Sequence, residues 1–449
     1  MIPPLAAGAG SDLLALHRLD SRRYPFLLES AAAHAATGRY DILFAFPQQA
    51  IEQRGAQLIR RHAGRRELLL GGGDLLQALA AHTPAAATSA LPFSGGWFLY
   101  FGYETAARVE PGLRLPASPY ALPDALAVYC EAAVVVDRLC DTTTLVAASP
   151  TQLQTLAADL DASRALAADH GRLPEVQIDE DDPQRFLSGV GRIHEYLRAG
   201  DSFQVNLSRR WTADFAEPVG PAALYAALRR SNPAPFAGLM CWDGSAVLSS
   251  SPERLLLLDE GRIETRPIAG TAPRAASGDD AQARETLIAS LKDRAEHIML
   301  LDLERNDLGR VCMPGSVQVA ELIGVESYAL VHHLVSSVTG RVRPGIGAAE
   351  VLRALFPGGT ITGCPKVRAM EIIAELEGVG RGPYTGSMGY LSNCGRMDLN
   401  ILIRTLVLEG RTASLRAGAG IVADSQPQAE LAETRQKARA LLRALDPAQ

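Results

Sequence analysis

The chain has 449 residues, 47% of them hydrophobic and 21% charged, with a formal net charge of -6. That length buries a large core without disulfide staples and suggests two domains of ordinary globular composition. It lacks the basic excess that a phosphate backbone demands, which argues against nucleic acid as a partner.

Cys130, Cys140, Cys241, Cys312, Cys364 and Cys394 include no Cys-x-x-Cys pair and no histidine at zinc spacing, so a reduced, cytoplasmic setting is expected. The N-terminus meets Asp12 early and no apolar run is long enough for a bilayer, so neither a targeting segment nor a membrane partner is expected. From about residue 11 to 150, apolar runs such as Asp41-Ile-Leu-Phe-Ala-Phe46 alternate with turn punctuation such as Gly71-Gly-Gly-Asp74, which predicts an α+β region. Residues 151–169 read as an Ala/Leu helix, and the acidic run from Gln177 to Pro183 as a solvated linker between two sequence domains.

After Pro183, the residues Phe186, Val190, Ile193 and Leu197 recur at helical spacing, and Gly200 offers a stop. The next stretch, Phe203 to Trp211, alternates apolar and polar residues, so Gln204, Asn206 and Ser208 share a polar strand face suited to lining a cavity. Further on, Leu287, Leu291, Ile298 and Leu301 mark a helix carrying Glu296, which on pattern alone is a surface residue first.

The last helix is predicted to open with a capping box, Ser425 with Gln428, and with Pro427 in its first turn. Leu431, Ala438, Leu442 and Leu445 form its apolar stripe, while Glu430, Glu433 and Lys437 gather on another face. Taken alone, that second face is a solvated one with a Glu-to-Lys pair worth about 0.3 to 0.5 kcal/mol. The strand-like run before it holds Gly418 and Gly420, which weaken a strand unless something approaches the backbone closely. A ligand carboxylate is one candidate and backbone turn chemistry another, and paired glutamates suit Mg²⁺.

Several long motifs, in order, resemble one family: Ser250-Ser-Pro-Glu-Arg254, Arg266-Pro-Ile-Ala-Gly-Thr271, Asp302-Leu-Glu-Arg-Asn-Asp307, Phe356-Pro-Gly-Gly-Thr360 running on to Lys366, Gly382 to Tyr390, and Met397 to Arg404. They look like the chorismate-binding domain shared by anthranilate, aminodeoxychorismate and isochorismate synthases, over about residues 183–440. The resemblance implies antiparallel sheets packed face to face with helices on their outer faces, a four-layer αββα arrangement. The N-terminal region, residues 11–150, would wrap onto this core.

By the same resemblance, Glu296 and Glu433 would hold Mg²⁺, with Glu430 nearby, and Glu253 would be the general acid for a departing hydroxyl. Tyr390, Arg404 and Lys437 would bind the enolpyruvyl carboxylate, with Gly270, Thr271, Gly418 and Gly420 also at the substrate and His333 among the catalytic residues. Gln204 stands where water-adding members carry a lysine base, so isochorismate synthesis is disfavoured and ammonia is the expected nucleophile. No cysteine lies in a glutaminase-like Gly-x-Cys-x-Gly elbow, which implies a separate glutamine amidotransferase subunit.

Two amino products stay open. Gln204 to Leu207, Asn232 to Phe236, Phe356 to Gly359 and Gly389 to Ser392 look like aminodeoxychorismate synthase component I. Ala269 points to anthranilate synthase instead, because the former enzymes carry a lysine there that adds to the ring. Tyr24 to Ser30 resembles a tryptophan-binding element, with Leu28, Glu29, Ser30, Asn232 and Pro233 in its pocket; the bland alternative is a buried strand. A non-catalytic aromatic-metabolite sensor is the third reading, disfavoured because the acids are present in their motifs.

Overall fold

The computed structural model describes residues 4–7, 12–31, 38–69, 73–80, 89–166, 172–274, 280–327 and 331–446. Every strand pairing among the described residues is antiparallel, and the strands fall into two runs that share the long strands Tyr40–Arg54 and Ala125–Asp137. The first run passes through Phe26–Glu29, Phe236–Trp242, Ser245–Ser251, Thr405–Glu409, Thr412–Ile421 and Gln204–Phe215. The second leaves Ala125–Asp137 through Gly96–Phe101, Ser387–Ser392, Met397–Asn400, Arg254–Asp259 and Arg262–Arg266 to Val331–Arg341. Register shifts between Pro47 and Gln49, next to Phe46 at φ 54, and such an irregularity lets one strand serve both runs.

Three apolar clusters give the layers. One comes from strands and their loops alone, with Phe26, Phe44, Phe98, Met240, Met388 and Val407, and fills the space between sheet faces. A second packs Leu156, Leu228 and Leu441 of three helices on the first run, and a third packs Leu308, Leu352 and Met370 of three others on the second. The result is the expected α+β arrangement, antiparallel sheets face to face with helices outside. Strands from the N-terminal region are hydrogen-bonded between strands of the C-terminal one, as Phe26–Glu29 against Phe236–Trp242 shows.

The helix Pro150–Arg164 starts with a capping box of Ser149 and Gln152 and stops at Ala165, short of the expected 169; residues 167–169, like Gly71 and Gly72, lie outside the described residues. Helix Pro183–Ala199 ends at Gly200, whose φ of 80 closes it in the left-handed region that glycine enters freely. The acidic stretch expected as a solvated linker is half strand: Val176–Glu180 pairs with the edge of Gln204–Phe215, and Asp182 then caps the helix. The predicted cap of the last helix, Pro427–Leu445, is also corrected. Ser425 accepts the Val422 N–H at 3.1 Å, closing a preceding turn, and Gln426 takes the cap position without a side-chain bond.

Candidate active site

A cavity of about 540 Å³ opens between Gln204–Phe215, Thr412–Ile421 and the helices Leu291–Gly309 and Pro427–Leu445. Gln204, Glu253, Ala269, Gly270, Glu296, His333, Arg404, Gly418, Gly420, Glu430, Glu433 and Lys437 all line it. Residues separated by more than two hundred positions in the chain thus meet in one space, which the antiparallel register of Asn206 on Gly420 and Ser208 on Gly418 brings about.

Glu253 is 3% exposed and accepts the Thr360 hydroxyl at 2.8 Å. Burial pushes its carboxyl up to about 8; the Thr360 bond opposes the rise and the charge of Glu304 adds to it. Such a group is protonated near neutrality, in a site where an acid can donate.

Positive charge gathers on the same cavity. Arg404, at φ 53, is held below the ordinary arginine range by burial, against the charges of Tyr384 and Glu433. It makes no ion pair among the described residues, and Lys437 donates to the Gly418 carbonyl at 3.0 Å while pairing with Glu433 at 2.6 Å. His333 is drawn down to about 3, by burial and then by the Arg404 charge, against a hydrogen bond to the Gly270 backbone. The imidazole is therefore neutral. Gly270 sits at φ 72, where register shifts between Ala269 and Thr271 on Val331–Arg341, a bulge that suits glycine and turns the backbone toward the cavity.

The acidic wall is all oxygen. Glu296 accepts the Gln204 amide at 2.8 Å, and a Cβ on Gly420 would stand 2.2 Å from Gln204 Nε2 and 2.9 Å from Glu296 Oε1. The bare glycine is what leaves room for that pair. No group of three His, Cys, Asp or Glu side chains among the described residues stands ready to hold a metal alone. Carboxylates spread over two helices around an open cavity fit a cation such as Mg²⁺, which takes one or two of them and completes its shell with water and substrate oxygens.

Three expectations are corrected. Tyr390 does not line this cavity: side chains of Ser387–Ser392 alternate, and Tyr390 points with Met388 into the core between the sheets, its ring 5.9 Å from that of Phe93. Tyr384, six residues earlier and ahead of that strand, enters the cavity instead, with its hydroxyl pushed up to about 12 by burial. Ser208 turns from the cavity to Glu377, donating its hydroxyl at 2.8 Å. Asn232 and Pro233 do not line the second cavity, of about 260 Å³, where Leu28, Glu29, Ser30, Tyr390, Pro235 and Phe236 do; Asn232 is turned to Ser250 Oγ at 2.7 Å. The Thr271 side chain lies outside the described residues.

Thr360, Tyr384 and Arg416 line the larger cavity without having been singled out in the sequence. The first two lie inside quoted motifs, but nothing local marks which residue of a motif turns inward. Arg416 is fixed from behind: its guanidinium meets Glu377 at 2.7 Å and the Ser208 hydroxyl at 3.1 Å.

The model of the chorismate binding enzymes matches residues 26–443. The chain is 41% identical over 436 residues to aminodeoxychorismate synthase component 1 of Klebsiella aerogenes, covering 95% of each. It is 37% identical over 462 residues to anthranilate synthase component 1 of Cereibacter sphaeroides, covering 97% of this chain and 92% of the other. Anthranilate synthase component I from Streptococcus pneumoniae superposes on it with a TM-score of 0.80 at 32% identity, over 91% of this chain and 93% of that one. No helix among the described residues is long and apolar enough to cross a membrane. With its motifs, fold and cavity in agreement with matches that span nearly its whole length, the chain belongs to the chorismate-binding enzyme family.

Proposed function

We propose that this chain is an aminating chorismate synthase that makes 4-amino-4-deoxychorismate from chorismate and ammonia. The observation that carries the reading is the buried Glu253 carboxyl, pushed up by that burial, lining a cavity that also holds Arg404, Lys437 and the Glu296, Glu430 and Glu433 carboxylates.

Arg404 and Lys437 bind substrate carboxylate, the guanidinium offering paired donors that such a group matches. Glu253 gives its proton to the ring hydroxyl as the C–O bond breaks, so the group departs as water. Ammonia forms the new C–N bond and gives up a proton, which returns to the Glu253 carboxylate left by the first transfer. Gln204, an amide, cannot deprotonate water, which leaves the neutral amine as the competent nucleophile. Neutral His333 supplies a hydrogen-bonding edge without adding charge. Glu296 and Glu433, with Glu430, would hold Mg²⁺, which supplies Lewis-acid polarisation of a ring carboxylate and needs no redox change. A separate glutamine amidotransferase subunit would deliver the ammonia.

One observation favours a second reading, anthranilate synthesis. Ala269 lines the cavity at 6% exposure and offers no amine to add to the ring. In the first reading attack at the aminated carbon is direct, or ammonia or water replaces the missing amine. Purified protein with chorismate, Mg²⁺ and an ammonium salt is expected to yield 4-amino-4-deoxychorismate, converted by a lyase to 4-aminobenzoate. Fluorescent anthranilate as the main product would reverse the assignment.

The second cavity has room for one aromatic amino acid, and its Leu28, Glu29 and Ser30 wall supports tryptophan as the occupant. Titration calorimetry is expected to show heat with tryptophan, and no heat together with no thermal shift removes that ligand.

A further inference from the structure

A helix and a loop meet behind the Glu253 carboxyl. Glu304, on Leu291–Gly309, is 3% exposed; one oxygen accepts the Gly359 N–H at 3.2 Å and the other the Thr265 hydroxyl at 3.2 Å. The next residue along the loop, Thr360, donates to Glu253 Oε1 at 2.8 Å. The loop is pressed onto the helix, since a Cβ on Gly359 would stand 2.5 Å from Leu303 Cδ2 and 3.2 Å from Glu304 Oε1.

We propose that Glu304 is a positioning residue for Glu253, holding the Thr360 loop in place through Gly359 and setting a like charge behind the acid. This rests on the reading of Glu253 as the proton donor. The groups around the pair have defined signs. Asp307 and Lys366 face Glu304 and pair with each other, while Lys437 and the Ile268 N–H face Glu253 and favour its ionised form. Burial and then Asp307 raise the Glu304 carboxyl itself, and Glu304 in turn raises Glu253. Two buried carboxyls that share a region in this way disfavour each other's ionisation.

Isotope-edited infrared titration reads the Glu253 carboxyl without turnover, its band assigned by loss in Glu253→Gln. Glu304→Gln keeps an acceptor for Gly359 but removes the charge, so the Glu253 midpoint is expected to move to lower pH. Glu304→Asp, which keeps the charge, is expected to restore it. Thr360→Val removes a donor that favours the ionised form, so the midpoint is expected to move to higher pH. An unmoved midpoint in either Glu304→Gln or Thr360→Val overturns the proposal. In turnover, the alkaline limb of kcat should shift with the same signs while KM is unchanged. Infrared shifts in a protein that makes no product from chorismate would support the positioning and sink the reaction assigned above.

Discussion

Ser250 donates twice to the Arg404 carbonyl, through its backbone N–H at 3.0 Å and its hydroxyl at 3.3 Å. Arg404 is a non-glycine residue at φ 53, a conformation that costs on the order of 1 kcal/mol and persists only where neighbours enforce it. Asn232 completes the brace through its bond to Ser250 Oγ, which gives this residue a place behind Arg404 instead of in the second cavity. Ser250→Ala removes the hydroxyl and leaves the backbone bond. Losing about 1 kcal/mol of hold on Arg404 is expected to raise the KM for chorismate roughly fivefold with little change in kcat. A fall in kcat at constant KM would place the defect elsewhere.

Glu253→Gln removes the proposed proton donor but not its shape. General acid catalysis of this kind contributes about 10² to 10⁴-fold, so kcat is expected to fall by that range while chorismate still binds in equilibrium dialysis. The proposed acid has to act protonated, so kcat should hold below pH 8 and decline above it, the carboxyl having been raised to about 8. Stability carries the same signature. The folded state holds a proton that the unfolded state has lost between the ordinary glutamate value of 4.5 and about 8, so stability falls as pH rises through that window. Glu253→Gln should therefore raise the Tm at pH 8 relative to native protein, and an unchanged rate would refute the acid role.

The elements that carry the site were legible because their signals are local. The helix stop at Gly200, the polar face of Gln204 and Asn206, and the Glu430, Glu433 and Lys437 face of the last helix depend on spacing alone, and the structure forms them. What the sequence hid was set by pairing at long range. The acidic run at 177–180 has a linker's composition but finds an open sheet edge, whose hydrogen bonds outweigh its weak strand preference. Tyr384 and Tyr390 share one motif, and only the onset of the strand at Ser387 decides which ring reaches the catalytic cavity. Ser425 looked like a cap because it stands three residues before Gln428, yet its hydroxyl is used in the turn before the helix.

Glu377 anchors the rear of the cavity. At 4% exposure it meets Arg381 at 2.6 Å and Arg416 at 2.7 Å, and Arg381 passes the hold on by donating to the Asn206 carbonyl at 2.7 Å. Burial alone would raise the Glu377 carboxyl, but the two guanidiniums outweigh it and hold it below the usual carboxylate range. That depression means its contribution is present above the unfolded value and lost as pH falls through the folded one. Glu377→Gln strands two buried cations, which is expected to cost about 3 to 5 kcal/mol in urea unfolding at pH 7 and less in acid. A loss that is the same at both pH values would show that packing, not charge, is what Glu377 supplies.

Gly420 tests the metal reading most directly. Its missing side chain is the space in which Gln204 donates to Glu296, and both groups lie within 3 Å of where a Cβ would stand. Gly420→Ala must push the amide aside, and the Glu296 carboxylate with it, while backbone pairing with Asn206 is unaffected. Displacing what orients a ligand commonly weakens metal affinity about 10 to 100-fold, so half-maximal activity should require that much more Mg²⁺. Binding of Mn²⁺ followed by its electron paramagnetic resonance signal should weaken in parallel, with far-ultraviolet circular dichroism unchanged. Full activity of the native enzyme in excess chelator, or an unaltered Mg²⁺ requirement in Gly420→Ala, would remove Glu296 from the cation's coordination shell.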